Sequence, residues 1–473
     1  MKNRLETAHP YMANSVPAIK EAMLRAIGVA TVEELFEQIP AEHRLRSPLD
    51  LPPAMPSENE LRRHVLDQLR RNETCEDNLS FIGGGCWQHH VPAVCDEIAG
   101  RAEMMTSVWG TPYSDHGRNQ AWFEFASLLG ELVGCDVVGQ PVYSWGYAAG
   151  HAIRMAARLT GRRRVLLPCL IDPERLSVIS NLCGSKEMAS HIEIVEIGFD
   201  DETGLLDLAD LEAKLSGETA AVYFDCPSHL GLIESQGAEI AALARLHGAE
   251  TIVGADPISL GVLEAPPVYG ADIVVGPMQP LGIHMNTGGG VGGFLATRDE
   301  ARYVHEYPTL LISLARTRRD EWAFALSCAH QTSYGLREEG KDWTGNSVNN
   351  WAIVNAVYLA LMGPAGMREL GELILQRANY AAFKLVEIDG VALRFSGPLF
   401  KEFVLDYAGT GKSVAAINAG LRRHGIFGGR GLGDLGGDLG PDFETCALTC
   451  VTEIHSQADI DRFADALAEE AAR

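Results

Sequence analysis

The sequence predicts an α/β protein: a mostly parallel sheet covered on both faces, preceded by a helical arm and followed by a smaller α/β unit. Three observations carry this. From about residue 117 to 276, short apolar runs alternate with helical patterns. The runs are apolar throughout, as strands buried on both faces must be. Past residue 364 the alternation restarts with a long helix, the sign of a separate unit.

Composition sets the limits. A chain of 473 residues, 46% apolar and 22% charged, has the makeup of a globular protein with one large and one smaller domain. Its formal net charge of −24 argues against nucleic acid and anionic membrane surfaces as main partners. No apolar run reaches about 18 residues, the length that spans a bilayer. The start, Met1-Lys2-Asn3-Arg4, leads to a polar stretch with no secretory core. The 10 cysteines are scattered. The expectation is a cytoplasmic chain with reduced thiols.

The arm spans residues 1–80. Ser15 is placed to cap a helix carrying Ile19, Met23, Leu24 and Ile27, stopped by Gly28. Thr31-Val-Glu-Glu34 matches a capping box for the next helix. A proline-rich connector runs from Pro48 to Pro56, and a charged helix from about Glu58 to Arg71. The apolar stripe of this arm is too small for a core of its own, so the arm is expected to pack on something else.

The large domain is expected over 81–363. A helix with Trp122, Phe123, Phe125, Leu128, Leu129 and Leu132 ends at Gly134. Strands follow at Val165–Leu167, Ile192–Ile197, Ala220–Phe224, Thr251–Ala255 and Ile273–Val275, with helices at 172–182, 207–215 and 237–247. The smaller domain covers 364–473: a helix at 365–385, strands near 391–395 and 402–407, a helix near 412–423, a strand at 445–451 and a last helix at 457–471.

In parallel sheets ligands bind at the carboxyl ends of the strands, where Asp225 and Asp256 stand. One strand-end aspartate of this kind holds the ring nitrogen in pyridoxal-phosphate enzymes. Turn or cap residues beside Pro227 and Pro257 are the equal alternative. Gly431-Leu-Gly-Asp-Leu-Gly436 satisfies G-x-G-x-x-G, but no helix follows it, so it reads as a loop. Cys446 and Cys450 read as buried core thiols; zinc would need two more ligands, and no metal site is expected. His89 and His90 are adjacent, so they point to opposite sides of an extended backbone.

Phe81-Ile-Gly-Gly-Gly-Cys-Trp-Gln-His-His-Val-Pro-Ala-Val94 resembles the glycine-rich entry loop of the glycine decarboxylase P-protein. Asp256-Pro-Ile-Ser-Leu-Gly-Val-Leu-Glu-Ala-Pro-Pro267, Gly270-Ala-Asp-Ile-Val-Val-Gly276 and Gln279-Pro-Leu-Gly-Ile283 are closer still. His9-Pro-Tyr11, Leu45-Arg-Ser-Pro-Leu-Asp-Leu-Pro-Pro53 and Cys450-Val-Thr-Glu453 agree as well. The resemblance is to subunit 1 of the two-subunit P-protein. It implies a fold type I pyridoxal-phosphate architecture with a seven-stranded sheet. It implies that glycine loses its carboxylate on the cofactor and passes an aminomethyl group to a lipoyl carrier protein. It implies a partner, a subunit 2-like chain that bears the catalytic lysine and holds pyridoxal phosphate covalently.

The lysines of this chain agree with that division. They are Lys2, Lys20, Lys186, Lys214, Lys341, Lys384, Lys401 and Lys412, with none between 214 and 341. Gln279-Pro280 stand where the family's lysine falls, and neither can form an imine. The other lysines are read as lying in helical or terminal segments. The resemblance makes this chain one wall of a pocket shared between two chains. His89, His90, Tyr113 and His116 are its expected catalytic donors, and Thr344, Asn346, Asp256, Gly288 and Gly289 its expected contacts to the cofactor. A helix cap before Val348 is an equal reading of Thr344.

Three segments depart from the family pattern. Tyr113 stands in place of the usual glutamate in Val108–Gly117. Val142-Tyr-Ser-Trp-Gly-Tyr147 replaces Met-Tyr-Asp-Gly-Ala-Thr. Asp342-Trp-Thr-Gly-Asn-Ser-Val-Asn349 keeps only Thr344 and Asn346. Two further readings therefore stand beside the first: a structural pseudoenzyme subunit, and a divergent paralogue acting on another small amino acid or amine.

Overall fold

The computed structural model describes residues 11–45, 47, 49–104, 116–288, 291–309, 311–327, 336, 341–342, 344, 348–433 and 443–473. They divide at Glu73/Thr74 into two units.

In the first unit, a helix covers Pro17–Ile27. Ser15 does not cap it: Val16 holds the cap position with no side-chain bond, and Pro17 opens the first turn, where a missing N–H costs nothing. Gly28, at φ 88°, bonds back to the carbonyls of Leu24 and Arg25. Beyond it a short 3-10 helix, Glu33–Phe36, replaces the expected α-helix. Glu34 accepts from the Thr31 N–H at 2.9 Å, but Thr31 Oγ1 donates to the same carboxylate instead of capping the helix. The charged helix covers Glu58–Leu69, with Ser57 Oγ accepting from the Glu60 N–H at 3.3 Å.

Among the described residues, the second unit holds all the strands. In chain order they are β1 Leu79–Ser80, β2 Val137–Val138, β3 Arg164–Pro168, β4 Glu193–Ile197, β5 Thr219–Asp225, β6 Glu250–Gly254, β7 Ile273–Pro277 and β8 Gly293–Thr297. Then come β9 Leu311–Arg316, β10 Trp322–Ser327, β11 Ala392–Leu393, β12 Glu402–Asp406, β13 Ile426–Phe427, β14 Arg430–Gly431 and β15 Cys446–Cys450. Seven of them form one sheet in the order β2-β8-β7-β6-β5-β3-β4. Strands β3 to β7 run parallel, while β8 is antiparallel to both β7 and β2. The five expected strands and the helices Pro173–Cys183, Leu208–Lys214 and Gly237–Leu246 all form.

Every residue of β5, β6 and β7 is buried. Alternate side chains serve opposite faces, as the pleat requires. Val222, Phe224, Val253 and Val274 join the core under the helices His116–Val133 and Asn349–Leu385. Ala221, Tyr223, Ile252 and Val275 join the core under the helix Trp145–Thr160. That last helix is capped by Ser144 Oγ, which accepts from the Tyr147 N–H at 3.2 Å. The run Asn349–Leu385 is two helices meeting at a kink where Gly363 (φ 58°, ψ 178°) precedes Pro364, so the helix expected at 365–385 forms beyond that break.

A second sheet, order β11-β12-β15-β14, is antiparallel. The helices Val414–Arg423 and Gln457–Ala472 cover it through Ile417, Leu421, Phe463 and Leu467. Strand β1 pairs with β13, and Phe81 stacks on Phe463 at 4.2 Å between ring centroids. The glycine-rich loop after β1 therefore starts from a two-stranded pair beside the second sheet, where the Phe81 carbonyl accepts from the Cys450 N–H of β15 at 2.9 Å. Among the described residues, no helix is long and apolar enough to cross a membrane.

Candidate functional site

The carboxyl ends of β5 and β6 bring Asp225 and Asp256 to the sheet edge, but the two carboxylates have separate partners. Asp225 is ion-paired with Arg175 and accepts from Tyr223 Oη at 2.5 Å. Burial raises the Asp225 carboxyl above the ordinary range, with Arg175 opposing it. The Arg175 guanidinium in turn lies 3.4 Å from the centroid of the Trp145 ring. This is a buried ion pair.

Asp256 meets a lysine. Lys401 Nζ stands 2.6 Å from Asp256 Oδ2, and Asp256 Oδ1 accepts from the Ile258 N–H at 3.2 Å. The expectation that every lysine sits in a helical or terminal segment fails here. Lys401 lies immediately before β12, is 2% exposed, and carries its ammonium 3.9 Å from the Trp87 ring centroid. The sequence signal was present: Lys401-Glu402 interrupt an otherwise apolar strand between Phe400 and Phe403.

The contacts continue through His89. Lys401 Nζ is 2.9 Å from His89 Nε2, and His89 Nδ1 is 2.7 Å from Glu453 Oε2. An ammonium only donates, so Nε2 accepts and Nδ1 carries the hydrogen given to Glu453. Burial would raise the Glu453 carboxyl, but the His89 imidazole and the His90 N–H hold it down at about 2. Next to Lys401, Glu402 Oε1 accepts from the Gly84 N–H at 2.7 Å. Burial pushes Glu402 up to about 7 against that bond.

The glycine run exists for this approach. A Cβ on Gly83 would fall 2.0 Å from Glu402 Oε1 and 2.7 Å from Cys450 Cβ. Gly84 and Gly85 both have positive φ, at 96° and 92°, which favours glycine. The loop then passes Gln279, at the expected lysine position. Gln279 Nε2 donates to the Trp87 and Ile283 carbonyls at 2.9 and 3.2 Å, and its Oε1 accepts from the Trp87 N–H at 3.2 Å. Cys86 beside it is raised to about 11 by burial, so it is no thiolate nucleophile at neutral pH.

The other expected residues lie as follows. His90 has an exposed side chain and anchors through its backbone N–H, 2.7 Å from Glu453 Oε1. His116 opens the helix His116–Val133, its side chain outside the described atoms. Gly288 ends the short turn Asn286–Gly288. Tyr113, Gly289 and Asn346 lie outside the described residues. Thr344 is 4% exposed; its N–H donates to the Pro308 carbonyl at 2.6 Å, and its hydroxyl is 3.4 Å from His151 Nε2. It is not a helix cap, since Val348 holds that place without a side-chain bond. His151 is neutral at pH 7, held at about 4 by burial. Cys446 and Cys450 are buried core thiols. His424, Glu469 and Glu470 bring ligand-type atoms within 4.8 Å, but Glu470 is already ion-paired with Arg423 and Arg473.

The cofactor that the resemblance implies can be tested against this geometry. Around Asp256, Lys401, Trp87 and Trp145 the remaining cavity is about 10 Å³, space for at most one water. The carboxylate that would face a ring nitrogen already carries an ammonium. The residues present do not fit pyridoxal phosphate at this place. The neighbouring cavity, lined by Gly84, Ser144, Trp145 and Arg175, is about 120 Å³, below the ~300 Å³ typical of ligand pockets.

Residues 11–426 match the family described as "Glycine cleavage system P-protein". A protein of Staphylothermus marinus, described as probable glycine dehydrogenase (decarboxylating) subunit 1, is 35% identical over 98% of both chains. A protein of Prosthecochloris aestuarii with the same description is 37% identical, over 97% of this chain and 99% of its own. A crystal structure of glycine decarboxylase (P-protein) of the glycine cleavage system, in inhibitor-bound form, superposes with a TM-score of 0.84 at 29% identity. It covers 98% of this chain and 100% of its own. A sphingosine-1-phosphate lyase of Burkholderia pseudomallei, 15% identical over 91% of this chain and 94% of its own with a TM-score of 0.62, shares the fold. The fold is the fold type I architecture of pyridoxal-phosphate enzymes, with the expected seven-stranded sheet. With the match over residues 11–426 and relatives at 35% and 37% identity along nearly the whole length, the chain belongs to the glycine cleavage system P-protein family.

Proposed function

We propose that this chain is the subunit of a glycine-decarboxylating complex that lacks the catalytic Schiff-base lysine. It pairs with a lysine-bearing subunit that holds pyridoxal phosphate covalently, and the pair passes an aminomethyl group from glycine to a lipoyl carrier protein. Gln279 carries this reading: it stands at the lysine position and is engaged on both its amide atoms by the backbone of Trp87 and Ile283. Bound in the partner, the cofactor supplies the electron sink for loss of carboxylate. This chain's part is to close the pocket. His90, Tyr113 and His116 are the proposed donors on its wall, with Thr344, Asn346, Gly288 and Gly289 beside the cofactor's phosphate. His89 and Asp256 act one step back, as positioning residues, since both are committed inside the chain. The division into arm, large domain (81–363) and small domain (364–473) is part of the same proposal.

The buried contacts of His89 also favour a second reading, a structural subunit that touches neither substrate nor cofactor. Release of labelled carbon dioxide from carboxyl-labelled glycine by the co-expressed pair separates the two. Under the first reading His90→Ala and Tyr113→Phe each lower turnover at least tenfold, the cost of a donor aimed at developing charge being on the order of 10²–10³, with assembly intact. Wild-type turnover in both variants favours the structural reading. No release by the wild-type pair with a lipoyl carrier present overturns the proposed substrate.

A further inference from the structure

We propose that the cofactor position of this chain is filled by its own side chains. In this arrangement Lys401 takes, against Asp256, the place that a protonated ring nitrogen takes in a cofactor-bearing fold type I site. The inference rests on the cofactor-free reading of this chain but not on the identity of the substrate.

The argument is one of position and charge. Asp256 follows β6 at the sheet's carboxyl edge, where a fold type I enzyme places the carboxylate that meets a cationic ring. Lys401 Nζ stands 2.6 Å from Asp256 Oδ2 as an ion partner outside hydrogen-bond geometry, so a cationic ring nitrogen brought to that oxygen would meet a like charge already in place. The ammonium carries the same single positive charge, so the buried carboxylate is compensated without a ligand. The Trp87 ring, 3.9 Å from that ammonium, adds a cation–π contact and takes ring volume, and about 10 Å³ is left. Gln279 fixes the backbone of Trp87 from the other side.

The filled site also does structural work. Lys401 immediately precedes β12 of the antiparallel sheet, and Asp256 lies just past β6 of the seven-stranded sheet. Their ion pair therefore ties the two sheets at the place where a cofactor would otherwise sit between them. His89 extends the tie to Glu453, just past β15. The site has become an internal clamp whose sealing charge is covalently part of the chain.

The test is chemical rescue in the full-length chain. Lys401→Ala leaves Asp256 buried and uncompensated beside a small void. Its melting temperature should fall well below wild type, then rise by several degrees, with saturation, as pyridinium or n-propylammonium is added. Wild type should show no such rise, and should keep no pyridoxal phosphate after dialysis. The double variant Asp256→Leu/Lys401→Met replaces the pair by apolar groups and should fold without responding to either cation. It also covers the case in which Lys401→Ala does not fold, since a folded double variant then still supports an isolated compensating pair. The proposal is overturned if wild type retains pyridoxal phosphate one to one, if Lys401→Ala melts like wild type, if neither cation raises the melting temperature of a folded Lys401→Ala chain, or if the double variant fails to fold.

Discussion

Glu402 gives the prediction that depends most directly on the site's burial. Its residue is 3% exposed, and its carboxyl accepts from the Gly84 N–H at 2.7 Å and from the Trp87 side chain. Burial raises it from an ordinary 4.5 to about 7. Below pH 4.5 both folded and unfolded chains hold the proton, and the group's contribution to stability is fully present. Between 4.5 and 7 the unfolded chain releases a proton that the folded chain keeps, so stability falls as pH rises. That difference, at ~1.36 kcal/mol for each pH unit, sets a loss of about 3 kcal/mol, complete above pH 7. Glu402→Gln keeps the acceptor oxygen for Gly84 and cannot titrate. The variant should therefore gain on wild type as pH rises, by up to about 3 kcal/mol between pH 4.5 and 8. Lys401 and Asp256 also face this group, but they compensate each other. Glu453 acts in a different window, losing its stabilising effect only as pH falls from 4.5 toward about 2. Urea midpoints of wild type and variant across pH 5 to 8 measure the effect. Parallel pH profiles for the two proteins would refute the reasoning.

Three further outcomes follow from the same geometry. Gly83→Ala sets a methyl group 2.0 Å from Glu402 Oε1 and against Cys450; the loop must move, and melting should fall by several degrees in calorimetry. His89→Ala removes the bridge between Lys401 and Glu453 and should cost about 1–3 kcal/mol in urea unfolding, whereas His90→Ala, with an exposed side chain, should cost under ~0.5 kcal/mol. If the arm packs on a partner chain, limited proteolysis should cut residues 11–73 quickly in the isolated chain and slowly in the co-expressed pair, and equal rates in both would reject the packing.

The sheet was legible because its centre is buried on both faces. Strand β5, Thr-Ala-Ala-Val-Tyr-Phe-Asp, is apolar nearly throughout and bounded by turn residues. Strand β2 is only two residues long and β8 opens from a run of glycines, so neither has a pattern to read. The helix Trp145–Thr160 was missed although Tyr147, Arg154 and Arg158 recur at helical spacing on its partly exposed face. Its Gly146 and Gly150 lower its helix propensity, yet they are where the helix Pro173–Cys183 comes close: a Cβ there would meet Arg175 Cα at 3.1 Å and Leu182 Cδ1 at 2.5 Å. In the site, the missing lysine was legible and the filling lysine was not. Gln279 could be found by its place in a motif. Lys401 acts across 145 residues of sequence from Asp256, and only the pairing of β12 with β15 brings it near His89 and Glu453.

The central claim, that the covalent cofactor belongs to the partner and not to this chain, is tested by borohydride reduction in the presence of pyridoxal phosphate. The isolated chain should show no absorbance near roughly 420 nm, where lysine-bound cofactor of this class absorbs. The co-expressed pair should show it at one cofactor per pair, and peptide mapping after reduction should find the label only on the partner subunit. A reduced adduct on any lysine of this chain, Lys401 above all, would contradict the account.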